Sequence, residues 1–328
     1  MKRGLITRLP GALFTAMLTL SGALAQAQSF PVRPIQLVVP FSAGNAITDT
    51  VARLVSPRLG EQLGQPVIVS NRPGANGLIG TEQVARAAAD GYTLLIASPS
   101  THITAVFLTR DLPYDPVRDF TPITAVVEPV TGVAVAASFP AGSLRELIDQ
   151  ARRNPGKFTF SSTGIGSVFH LTGEMLNQAA GIDLLHVPYK ANQQAMTDLL
   201  AGRITVLLNP VLLIAPQAKA GKMKLLAVME ARRFAGLPEV PTVGETLPGF
   251  EKPPSWLGFF GPAALPAAIT SRLHAETVRT LALPDVRSRL EEGGMAVIGN
   301  SPAEFADQIR RGFEIYGRAV RAAGIKPE

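Results

Sequence analysis

Beyond residue 30, short apolar runs alternate with segments of helical periodicity, and this alternation restricts the fold more than any other feature of the chain. The run 35–39 (IQLVV), bounded by Pro34 and Pro40, predicts a buried strand. Val51, Leu54, Val55, Leu59 and Leu63 recur every three or four residues and predict a helix, with Thr48 and Asp49 placed for its N-cap. A strand at 67–69, a Gly-rich turn, a helix near 81–88 and a strand at 93–97 complete a β-α-β-α-β series, the pattern of a parallel sheet covered by helices. Strands follow at 133–137, 157–161, 184–187, 204–209, 224–229 and 256–260. Between them lie helices opened by Ser143-x-x-Glu146, at 168–180, up to Ala201 and near 212–220. Two or three helices close the chain, the last opened by Ser301-Pro302-x-Glu304. The passages 121–131 and 234–256 read as crossovers between two α/β units of similar size. Such units leave a cleft at the carboxyl ends of their strands, where open α/β folds bind ligands.

The first thirty residues have another origin. Lys2, Arg3 and Arg8 form a basic head, an apolar run spans 9–24, and small residues follow at Ala23, Ala25 and Ala27. This is the layout of a secretory leader occupying 1–27, cleaved after Ala25 or Ala27. The 328 residues contain no Cys, which excludes disulfides, thiolate metal sites, a Cys nucleophile and a lipid attached at a processed Cys. Formal charge is +6; without the leader, 28 basic and 25 acidic side chains remain, too small a surplus to point to nucleic acid. His102, His170, His186 and His274 show no metal spacing, and no HExxH, P-loop or Gly-x-Ser-x-Gly occurs. The expectation is therefore an exported protein that is not an enzyme, with no cofactor and no metal.

Two strand–helix loops carry the chemistry. The stretch 40–49 (PFSAGNAITD) and the stretch 161–167 (SSTGIGS) each follow a strand and open a helix. Small residues let a ligand approach the backbone, and unpaired amides at a helix start attract anions without Lys or Arg. One such loop per unit would grip a ligand from both sides. Gly164-x-Gly166 lacks the third Gly of a dinucleotide fingerprint. A third turn, 71–77 (NRPGANG), carries Arg72, and 98–102 (SPSTH) ends the third strand on the cleft side.

These residues resemble the Bug/TctC-type extracytoplasmic solute receptors of tripartite tricarboxylate transporters. The resemblance rests on FPVRPI, VVPFSAG, VARLVSPRLGEQLGQPVIVSNRPGANGLIG, AAADGYTLLIAS, LPYDPVRDFTPI, SSTGIGSVFHLTGEML, LLHVPYKANQQAMTDLLAGRI, LPEVPTVGE and SPAEF, in this order along nearly the whole mature chain. It implies an α/β, two-lobed periplasmic binding protein fold, each lobe a mixed sheet flanked by helices, with lobes 28–130 plus 235–328 and 131–234. It also implies a periplasmic monomer that captures a small carboxylate between its lobes and delivers it to integral-membrane permease subunits. Carried over by motif, the ligand-binding residues are Phe41, Ser42, Gly44, Asn45 and Ser100 in one lobe. In the other they are Ser162, Thr163, Gly164, Gly166, Ser167, His170, Tyr189 and Asn209. Ala191 replaces the usual Gly after Tyr189-Lys190, Gly44-Asn45 stands for Gly-Gly, the interval from Gly44 to Asp49 is one residue longer, and Asn209 replaces an Asp. Loss of that Asp favours a plain carboxylate over an amino acid. The alternatives are a co-receptor that presents its ligand to a membrane sensor kinase, and a periplasmic hydrolase using Ser42 or Ser167.

Overall fold

The computed structural model describes residues 30–44, 47–165 and 167–322. The leader expected at 1–27, Asn45 and Gly166 lie outside the described residues. The first lobe begins with β1 (Ile35–Val39), α1 (Ile47–Leu63), β2 (Val67–Asn71), α2 (Leu78–Ala85), β3 (Thr93–Ala97), the short α3 (Ala105–Leu108) and β4 (Phe120–Pro129). The second comprises β5 (Thr131–Ala136), α4 (Leu144–Arg153), β6 (Thr159–Ser162), α5 (Val168–Ala180), β7 (Leu185–Pro188), α6 (Asn192–Leu200), β8 (Val206–Pro210), α7 (Val211–Lys219) and β9 (Met223–Val228). After the short α8 (Val243–Thr246), the chain returns through β10 (Leu257–Pro262), α9 (Ala267–Leu281), α10 (Pro284–Glu292), β11 (Met295–Val297) and α11 (Pro302–Ala322).

Six strands form one sheet in the order β11-β4-β10-β3-β1-β2, and five form the other in the order β7-β6-β8-β5-β9. In the first, β1 runs parallel to β2 and β3, with Leu37 opposite Val69 and Leu94. In the second, β6 runs parallel to β7 and β8. Both sheets are mixed, because β10 is antiparallel to β3 and β4, and β5 is antiparallel to β8 and β9. Each sheet keeps its own apolar core, one around Leu37, Val55 and Phe259, the other around Val133, Leu147 and Phe160.

Two expectations need correction. The passage 121–131 is not a crossover for most of its length: 120–129 is β4, a ten-residue strand inside the six-stranded sheet. Pro122 is tolerated there because the β4–β10 register shifts beside it, between Phe259 and Phe260. Thr48 and Asp49 do not cap α1; both lie inside its first turn, buried. The two capping boxes hold, with one variation. Ser143 Oγ accepts from the Glu146 amide at 3.2 Å, but the Glu146 carboxylate reaches back to Gly142 N rather than to Ser143 N. Ser301 and Glu304 bond reciprocally at the start of α11.

Candidate functional site

Since β1, β2 and β3 are parallel, the turns that follow them share one end of the sheet. The structure brings those turns together. The loop after β1 turns on Gly44, with φ +72° and open space where a Cβ would stand. Gly77, from the turn after β2, packs so closely that a Cβ would come within 2.9 Å of Thr101 and 3.2 Å of the Phe41 ring. Asp49 organises the group. Its carboxylate accepts from Gly44 N at 2.8 Å, Arg53 Nε at 2.9 Å and Asn71 Nδ2 at 2.7 Å, and Asn71 Nδ2 also donates to the Phe41 carbonyl. Burial opposes the charge of Asp49, but these bonds outweigh it and hold the carboxyl below its usual range. Ser42 and Ser100 are exposed, the latter with Oγ 2.6 Å from Ser98 Oγ in the helical turn 100–104.

The second lobe repeats the device. Ser162 ends β6, and its Oγ accepts from Gly164 N and lies 3.0 Å from Gly164 O. Gly164 has φ +119°, a conformation glycine adopts freely, with nothing within 4 Å of a Cβ position. Thr163 beside it is exposed. Ser167 Oγ accepts from His170 N and caps α5, so the hydroxyl proposed as a hydrolytic nucleophile is already engaged. His170 is buried, its ring stacked on His186 at 3.9 Å. His186 Nε2 in turn sits 2.6 Å from Ser162 Oγ. Tyr189 N donates to Ser162 O, while the Tyr189 hydroxyl donates to Asp198, which also receives Arg203. Burial and the Asp198 charge push the Tyr189 phenol up to about 12. Asn209, fully buried at the end of β8, donates weakly to Asn192 O, and its Oδ1 has no partner among the described residues.

Helix α5 connects the two groups. It packs on α11, which also lies against β4 and against residues 100–104 of the first lobe. Leu171, buried on the first turns of α5, joins the apolar cluster of Ile103, Trp256 and Tyr316, with Val168 and Met175 packed against it. The start of α5 therefore packs across the lobe boundary, on α11 and the aromatic cluster of the first lobe. Asp49, Asn71 and His186 brace the two loops, and motif reading did not single them out as site residues. Asp49 was legible only as a cap, and His186 as one polar residue in an apolar strand. A cavity of about 950 Å³ lies elsewhere, between α7, residues 234–240 and α10. Its lining is mainly apolar and includes none of the predicted residues, so the strand–helix loops, with their small exposed residues at helix starts, are the better candidate.

Comparison with known proteins identifies the family and the fold. The family described as "Tripartite tricarboxylate transporter family receptor" matches residues 51–325. The chain belongs to that family. A "UPF0065 protein" of Bordetella bronchiseptica is 39% identical over 326 residues, covering 99% of this chain and 96% of its relative. Among solved structures, an R. palustris protein with adipate is 32% identical with a TM-score of 0.74, covering 91% of this chain and all of that one. MatC from Rhodopseudomonas palustris with bound malate is also 32% identical, with a TM-score of 0.68, covering 89% and 100%. The fold is that of the periplasmic solute-binding receptors. Among the described residues, no helix is long and apolar enough to cross a membrane, and no group of three or more His, Asp or Glu could hold a metal.

Proposed function

We infer that this receptor captures a small carboxylate between its lobes, in the periplasm, and delivers it as a monomer to integral-membrane permease subunits. The observation that carries the reading is the pairing of two strand–helix loops, each turning on an open positive-φ glycine, Gly44 and Gly164. The second of them opens α5, which packs across the lobe boundary on α11 and the first lobe's aromatic cluster. Backbone amides in such turns bind carboxylates by charge-assisted hydrogen bonds, each contributing about 1.5–3 kcal/mol net. Two to four of these, with water excluded as the lobes close, reach the roughly 8 kcal/mol of a micromolar complex. The lobes 28–130 plus 235–328 and 131–234 would move about the passages after β4 and β9, and the closed surface is what a permease would recognise. Bound adipate and malate in the related structures favour a di- or hydroxycarboxylate.

The test is a thermal and calorimetric screen of mono-, di- and tricarboxylates that includes adipate and malate. A true ligand at 100 times its Kd adds about 2.7 kcal/mol to unfolding stability. A panel in which none raises the melting temperature or releases heat overturns the reading.

A further inference from the structure

The stacked imidazoles of His170 and His186 lie behind the second loop, and His186 touches it directly. His186 projects from edge strand β7 on the side of the sheet covered by α5. It stacks on the Phe160 ring at 5.1 Å and on the His170 ring at 3.9 Å, at interplanar angles of 29° and 22°. Its Nε2 lies 2.6 Å from Ser162 Oγ, and that oxygen closes the turn to Gly164. The position of the Gly164 amide thus depends on an imidazole outside the loop. Resting on the carboxylate-receptor reading above, we propose that His186 is a positioning residue for ligand capture, fixing the Ser162 hydroxyl and sharing with His170 a single proton that a bound anion draws in.

The surroundings support one proton rather than two or none. Burial favours the neutral form of both rings; burial and the neighbouring His170 bring His186 down to about 4. Face-to-face rings this close cannot both be charged without strong repulsion. The acidic group facing them is Glu174, one turn along α5, with Oε1 3.8 Å from His170 Nε2; burial and Asp183 push its carboxyl upward. On the opposite face of the sheet, α6 offers Asp198, which is committed to Arg203 and Tyr189. Lys190, next to the turn, is exposed. A carboxylate in the loop adds a negative charge that can lift an imidazole, and by linkage protonation of the pair strengthens carboxylate binding.

Titration calorimetry with adipate and malate, between pH 5 and 7.5 in two buffers of different ionisation heat, tests this. The proteins are wild type, His186→Ala and the double variant His170→Gln with His186→Gln. The titration of the ligand itself is common to all three, so differences report the imidazoles. Wild type should take up a fraction of a proton per ligand, rising toward pH 5, and its affinity should gain severalfold over the double variant across that range. The double variant, whose amide at 186 can still bond Ser162, should bind with an affinity that does not vary between pH 7.5 and 5 beyond the ligand's own titration, and with no excess proton. His186→Ala should bind at least tenfold more weakly at every pH. Equal proton uptake in wild type and the double variant overturns the proposal, as does wild-type affinity in a folded His186→Ala. Should that variant fail to fold, the comparison with the double variant still decides. Absence of binding by any carboxylate to wild type overturns the receptor reading itself and the proposal with it, which separates the two failures.

Discussion

One carboxylate shapes the first loop. Asp49 is buried, and its oxygens hold Gly44 N, Arg53 and Asn71 at 2.7–2.9 Å. Asp49→Ala should cost about 2 kcal/mol of unfolding stability, the scale of one charge-assisted bond, since Arg53 is half-exposed and regains water. The same substitution should weaken binding of whichever carboxylate the screen identifies, because the Gly44 turn loses its anchor. The pH dependence has a definite sign. The folded-state carboxyl titrates below its ordinary value of 3.8, so its contribution is complete above that value and lost as pH falls beneath it. Denaturation curves at pH 7 should therefore show the full deficit of the variant, and curves near pH 3 a smaller one. An unchanged ligand affinity in a folded Asp49→Ala would mean that the loop does not hold the ligand.

At the level of elements, α5 does two things with two faces. Its N-terminus presents the second loop, and Leu171 enters the first lobe's aromatic cluster, whereas Leu176 packs in the second lobe's own core. Both are almost fully buried, so Leu171→Ala and Leu176→Ala should each cost about 2–5 kcal/mol in denaturant unfolding. Only Leu171→Ala should also change carboxylate affinity, because it alone loosens the contact between lobes. Much of this element was readable beforehand: its limits, 168–180, follow from Ser167, the apolar spacing and Gly181. β4 was not, because Pro122 and Pro129 in FTPITAVVEP signal a break, and only the β10 partner with its register shift makes the strand possible. β11 has three residues and no periodicity to detect. The loops were legible as small-residue turns, but Asn71 and His186 act through partners 22 to 30 positions away, and Asp49 also through a turn geometry that local spacing does not encode.

At the scale of the molecule, the passages between lobes are fastened by a buried charge cluster. Lys252, 8% exposed in the returning segment, lies 2.6 Å from Glu128 near the end of β4 and 3.5 Å from Glu230 just beyond β9. Glu230 Oε1 also accepts from Thr131 N, at the start of β5. One ammonium thus joins both places where the chain moves between sheets, after β4 and after β9. Burial opposes charge in every member. Lys252 nevertheless holds Glu128 below its usual range, whereas burial and the Glu128 charge push Glu230 upward. Lys252→Met would leave two carboxylates buried without a cation, a change that typically costs about 3–5 kcal/mol. With no counter-charge, both folded-state carboxyls would rise above their unfolded value of 4.5. A raised carboxyl loses its stabilising effect as pH climbs through the folded value, so the variant's deficit should be larger at pH 7.5 than at pH 5. Urea unfolding at the two pH values measures this directly. A deficit that does not change with pH would show that Lys252 acts at the hinge through packing and not through charge.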